Sequence, residues 1–315
     1  MRKALIVGLN NYPNAELEGC INDAICIGNI LEKNGDGSPN FSVRYVTDEK
    51  KVVSKAELKG DIYSLFQGPN EIALFYFSGH GTITSAGGYI VTPDFKKYDE
   101  GISMDEILNY ANSSKARNKI IILDCCHAGA CGNPSISGGS NAFLSEGLTV
   151  LTASRDLENA IESGGKGLFT SLLIDALQGG AADLRGNITL GGLYSYVDEV
   201  LGPWEQRPIF KTHVSKFTPI RTITPKIPLE TLRKIKKYFS SPEEEYILDP
   251  TYEDTSRNSI EEHVTILKDL QKFESAGLVA PVGEEHMYYA AMNSKSCRLT
   301  ALGYQYWRLA NENKL

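Results

Sequence analysis

Residues 120–129 read IIILDCCHAG, an apolar run that ends in an acid, two adjacent thiols and a histidine. Asp124, Cys125, Cys126 and His127 are chemically suited to a metal site, a disulfide, a redox pair or a nucleophile. Each option has its own geometry. Adjacent cysteines bridge one another only under strain. A structural zinc takes about four ligands at characteristic spacings; here the candidates crowd together, and the chain holds no C-x-x-C or H-x-x-x-H. A dithiol redox centre uses C-x-x-C. What remains is a nucleophile at the carboxyl end of a buried strand, where α/β sheets place their sites. The plainer alternative is a pair of small buried side chains, the usual fate of free cysteine.

A nucleophilic thiol needs a base, and cysteine hydrolases usually take it from a separate segment. The histidines are His80, His127, His213, His263 and His286. His127 follows Cys126 directly, so its side chain is expected to project away from the thiol. His263 and His286 belong to the C-terminal part. His80 stands in ALFYFSGHGT, just after a second apolar run, and Gly79 and Gly81 suit a tight turn with an approachable backbone. Two such strand ends, neighbours in a parallel sheet, would bring imidazole to thiol.

The elements that must do this positioning are legible as short apolar runs at 3–8, 42–46, 71–77, 88–91, 119–123 and 147–152. Runs without polar alternation suit strands buried on both faces. Helical spacing occupies 18–34, 54–67, 103–112, 167–178 and 189–201. Ser54 with Glu57, and Ser103 with Glu106, are capping-box signals. Alternating strands and helices predict an α/β sandwich with a mostly parallel sheet. Residues 130–146, rich in Gly, Ser and Asn, predict a flexible loop, and three prolines within 215–230 predict a domain boundary. Domains are expected over 1–220 and 228–315. In the second, helices at 230–239, 259–275 and 299–310, with a hairpin of 277–282 and 287–292 around GEEH, predict a small winged-helix-like α+β arrangement.

The 315 residues suffice for a large domain and a small one, and 42% apolar with 23% charged residues is ordinary globular composition. No apolar run reaches bilayer-spanning length. The basic start is followed by too short an apolar stretch for a signal peptide. The expectation is therefore a cytoplasmic chain, no membrane, and six reduced cysteines. A net charge of −7 offers no general attraction to nucleic acid.

SGHG at 78–81 and DCCHAG at 124–129, in order with ALIVGLNNY at 4–12, LEGCINDA at 17–24, TAS at 152–154 and GLFTSLL at 167–173, resemble the caspase-like cysteine peptidases. The likeness is closer to metacaspases and bacterial orthocaspases and covers about residues 3–212. It implies a caspase-like α/β/α sandwich and a peptidase. By this resemblance Cys126 is the nucleophile, His80 the base, and the N–H groups of Gly81 and Cys126 the oxyanion hole. Cys125 becomes a packing residue, and no third triad member is assigned.

The resemblance also implies that Cys20, Asp23, Ser78 and Asp124 line the pocket for the residue before the scissile bond. Two carboxylates there would pair with a guanidinium, so cleavage after Arg or Lys is expected. The competing reading of Asp23 is an acid at a helix N-terminus, favoured by the dipole. Calcium is the one cofactor the resemblance allows. The acids Asp94, Asp99, Glu100, Asp105 and Glu106 lie in the right region, but Met104-Asp105 stands where paired acids are expected. A solvated acidic face, with no metal, is the reading preferred here.

Residues 127–150 contain neither Lys nor Arg, so self-cleavage is expected elsewhere: at Arg155, Lys166 or an exposed 211–237 linker. From residue 228 onward the chain has 11 Lys plus Arg against 14 Asp plus Glu. That balance predicts a protein partner rather than DNA. A role in bacterial defence or cell death follows from the resemblance alone. The alternatives are a silent caspase-like scaffold and a winged-helix regulator.

Overall fold

Four of the apolar runs form strands buried along almost their whole length: β1 (Arg2–Gly8), β3 (Ile72–Ser78), β7 (Asn118–Asp124) and β8 (Leu148–Thr152). In the computed structural model, which describes residues 1–125, 131, 143–153, 162–163, 166–201 and 207–315, they lie inside a six-stranded sheet. The edges are β2 (Ser42–Thr47) and β12 (Ile209–His213), in the order β12-β8-β7-β3-β1-β2. Every neighbouring pair is parallel except β12 with β8.

The strand period of two sends alternate residues to opposite faces. Leu5, Val7, Phe75, Phe77, Ile121 and Leu123 share one core with α2 (Lys55–Leu65) and α3 (Met104–Asn112). Ala4, Ile6, Leu74, Tyr76, Ile120 and Ile122 share the other with α1 (Cys20–Glu32), α4 (Leu168–Asp175) and α5 (Leu190–Leu201). Each large apolar side chain so buried contributes about 1.5–3 kcal/mol. Helices therefore cover both faces, and the fold is the α/β sandwich expected.

Local signals hold unevenly. Ser54 and Glu57 form a full capping box at the start of α2. Ser103 makes no side-chain cap bond at α3, and Glu106 instead pairs with Lys59 at 2.6 Å. A second, antiparallel sheet of β4 (Gly81–Thr84), β5 (Gly87–Lys96) and β6 (Asp99–Ser103) begins immediately after His80. Two minor ladders complete this part: β9 (Glu162–Ser163) with β10 (Lys166–Gly167), and β11 (Asn187–Ile188) with β13 (Arg221–Thr222).

The chain divides into two compact units, Met1–Ile223 and Thr224–Leu315. The second holds α6 (Leu229–Arg233), α7 (Ile235–Tyr238), β14 (Glu245–Ile247), α8 (Glu261–Ser275), β15 (Val279–Val282), α9 (Met287–Met292), β16 (Ser296–Leu299) and α10 (Ala301–Asn311). Its antiparallel sheet runs β14-β16-β15. The hairpin expected around GEEH is not formed. Residues 287–292 are helical, and β15 pairs with β16. The reason lies in MYYAAM: Met287, Ala290 and Ala291 are the buried positions, at helical spacing. Asp269, buried within this unit, accepts from Lys234 at 2.7 Å and Tyr238 at 2.9 Å. Among the described residues no helix is long and apolar enough to cross a membrane.

Candidate active site

The two motif-bearing strand ends are neighbours. Ser78 is the register partner of Asp124, and Gly8 that of Ser78, so β1, β3 and β7 end together. Pairing continues one step further, with Gly79 N–H donating to Asp124 O at 3.4 Å. His80 thus follows its strand end by two residues, as Cys126 follows Asp124. Cys126, with the oxyanion N–H expected of it, lies outside the described residues, as do His127, Arg155 and most of the 130–146 loop. Cys125 is described. It is 1% exposed and belongs to the core cluster with Tyr12 and Val91. Gly81, the other oxyanion candidate, opens β4 opposite Ile90.

His80 is held through its ring and its main chain. Nε2 lies 2.7 Å from the carbonyl oxygen of Ala15. With the proton on Nε2, that nitrogen donates to the carbonyl and Nδ1 is left as the basic atom. The backbone N–H of His80 donates to Tyr12 Oη at 3.1 Å, and Tyr12 Oη donates to Val91 O at 3.3 Å. Burial pushes the Tyr12 hydroxyl well above its ordinary value. The segment carrying Tyr12 and Ala15 is fastened in turn by Asp48, whose carboxylate accepts Asn10 N–H at 3.0 Å and Asn11 N–H at 2.7 Å. Asn10 Oδ1 accepts Ile21 N–H at 3.2 Å, joining the segment to α1. The sequence yielded no third triad member. The group found beside the His80 ring is a main-chain carbonyl, which carries no residue-type signal.

The four pocket candidates gather at the same strand ends. Asp23 lies in the first turn of α1 and Asp124 closes β7; both are buried, as are Cys20 and Ser78. Cys20 backs onto Gly8, where a Cβ would collide with the Cys20 carbonyl. Asp23 does not serve its own helix alone: Oδ2 accepts Gly167 N–H at 3.0 Å from the start of α4. Thr170 Oγ1 donates to Asp124 Oδ2 at 2.7 Å and lies 2.6 Å from Tyr76 Oη, which donates to it. The two carboxylates meet over Gly167. A Cβ there would lie 2.7 Å from Asp124 Oδ2 and 3.2 Å from Asp23 Oδ2. Burial first, and the two carboxylates next, hold the Tyr76 hydroxyl far above its ordinary value. Gly167 and Thr170 lie in GLFTSLL, and only their contacts mark them as part of the site.

Three of the acids considered for calcium have other partners. Asp94 accepts the Lys55 N–H at 3.1 Å, Asp99 pairs with the Lys55 ammonium, and Glu106 pairs with Lys59. Among the described residues no group of three or more His, Cys, Asp or Glu is placed to hold a metal. The expected 211–237 linker is also shorter than supposed. Lys211 lies in β12 and donates to Cys131 O at 2.8 Å; Arg221 lies in β13 and donates to Leu177 O at 2.6 Å. A cleft of about 620 Å³ between β2 and α2, lined by Arg44, Lys51, Glu57 and Asp61 among others, contains none of the motif residues.

Residues 1–218 match the caspase-domain family model. Metacaspase-1B of Aspergillus fumigatus is 27% identical over 194 residues, 56% of this chain and 47% of that protein. Metacaspase-9 of Arabidopsis thaliana is 32% identical over 145 residues, 41% of this chain and 43% of its own. The match therefore spans a little under half the length of these curated relatives. Among solved structures, a Geobacter sulfurreducens protein superposes with a TM-score of 0.52 at 16% identity, covering 71% of this chain and all of that one. Caspase-1 from Spodoptera frugiperda gives 0.50 at 12% identity, covering 72% and 92%. These two likenesses speak for the fold.

Proposed function

The chain belongs to the caspase family, and from that premise we propose that it is a cysteine endopeptidase cleaving polypeptides after Arg or Lys. The observation that carries the specificity is the meeting of Asp23 and Asp124 over Gly167, beside the strand ends that lead to His80 and Cys126. A guanidinium or ammonium entering there meets two buried carboxylates, where charge-assisted hydrogen bonds are strong.

In the proposed reaction His80 Nδ1 takes the Cys126 thiol proton, and the imidazolium is stabilised by the Ala15 carbonyl. The thiolate attacks the carbonyl carbon that follows the basic side chain. The oxyanion is met by the N–H groups of Gly81 and Cys126. His80 returns the proton to the leaving amine, and an acyl-thioester remains. Water, deprotonated by His80, then releases the acid and restores the thiol.

Fluorogenic peptides ending in Arg, Lys, Asp or Leu before the reporter test this reading. Turnover of the Arg and Lys peptides is expected, with loss of more than about 10³-fold in Cys126→Ala and in His80→Ala. Undiminished turnover in Cys126→Ala, or preference for Asp, contradicts it. Thr224–Leu315 is proposed to bind a protein partner, because its acidic balance does not suit a nucleic-acid face.

A further inference from the structure

His80 stands between two glycines, so its main chain has no flanking side chains to steady it. Its carbonyl accepts the Val91 N–H at 2.8 Å, and its N–H is met by one buried side chain. Tyr12, 1% exposed, accepts the His80 N–H at 3.1 Å and donates its O–H to Val91 O at 3.3 Å. Its ring sets an edge toward the imidazole, with centroids 4.6 Å apart and planes at 64°. Gly79 makes the space for this, since a Cβ at residue 79 would collide with Tyr12 Oη. Burial keeps the hydroxyl neutral, so it both accepts and donates across any working pH. The segment that carries Tyr12 also carries the Ala15 carbonyl bonded to Nε2.

We propose that Tyr12 is a positioning residue for His80, its buried hydroxyl clamping the turn at residues 79–81 while its segment presents the Ala15 carbonyl to the ring. This rests on the reading of His80 and Cys126 as the catalytic pair. An imidazole released from the clamp shares its proton less well with the thiol. The thiolate–imidazolium pair then weakens, and the proton reaches the leaving amine less often. The ground-state fit of the substrate is untouched, because Tyr12 makes no bond to the acid pair among the contacts described above.

Tyr12→Phe removes the hydroxyl and keeps the ring. Two readouts apply: kcat and KM on an Arg-terminated fluorogenic peptide, and the pH dependence of Cys126 alkylation by iodoacetamide, followed by peptide mass. The expected result is a fall in kcat of about 5–30-fold with KM within about twofold. The alkylation midpoint is expected to rise toward the ordinary thiol value of about 8.5. Gly79→Ala, which displaces the same hydroxyl, is expected to reproduce both changes. An unchanged kcat and alkylation profile in both variants overturns the proposal. So does a loss of activity that only tracks the fraction of alkylatable Cys126, which is the mark of a structural role. If the wild-type protein turns over no peptide, the peptidase reading falls, and the alkylation profile by itself decides whether Tyr12 governs His80.

Discussion

A buried carboxylate stays charged only where donors or a cation meet it. Asp23 accepts the Gly167 N–H and Asp124 the Thr170 hydroxyl, and an ionised carboxylate can accept more than one hydrogen bond. Asp124→Asn keeps the shape and removes the charge. We expect kcat/KM for an Arg peptide to fall about 10–100-fold, and for a Leu peptide to change little. Equal losses on both would show that Asp124 acts on the fold rather than on the substrate's charge. Gly167→Ala is expected to be harsher, because its methyl group would press on both carboxylates. A different residue-scale effect should appear in alkali. Burial raises the Cys131 thiol from 9.0 to about 12, and raises Tyr12 and Tyr76 as well. These groups ionise more readily unfolded than folded. Their contribution is full below about pH 9 and is lost as pH climbs toward 12. Thermal unfolding at pH 7.5, 9 and 10.5 should show Tm falling steadily above about 9; a flat profile would contradict the burial of these groups.

At the scale of elements, the site depends on three parallel strands ending in register and on one segment tied across them. Asp48 is the knot in that segment, since its two oxygens hold Asn10 and Asn11. Asp48→Ala leaves two donors unsatisfied, at about 1–3 kcal/mol each. Chemical denaturation should show a stability loss of that order, together with reduced turnover; full activity at unchanged stability would mean the segment needs no such anchor. Lysines occupy the acidic face near β5 and β6, so a chelator is expected to leave Tm and turnover unchanged. The main elements were legible because apolar runs and helical spacing are local properties. Residues 287–292 were misread because a short apolar run suits strand and helix alike, and its burial pattern depends on what it packs against. Lys211 and Arg221 looked like linker for a related reason. The strands they join are completed by residues far away in sequence: β12 pairs with β8, and β13 with β11.

For the whole molecule, family membership joins the first unit to the caspases, while the second unit lies outside the family match and combines helices with a three-stranded sheet. With a pocket that takes basic residues, the purified protein should carry no new terminus within residues 127–150, which hold no Lys or Arg. Intact mass analysis checks this, and a fragment ending there would overturn the basic specificity. The sequence by itself determined the strand–helix alternation, the two motif-bearing strand ends and the residue types available for chemistry, because periodicity and side-chain identity are written along the chain. Only the tertiary structure decided that Asp23 and Asp124 meet over Gly167, that Tyr12 clamps His80, and that the Ala15 carbonyl faces its ring. Those contacts join segments distant in sequence, two of them through backbone atoms every residue possesses, so spacing and composition carry no trace of them.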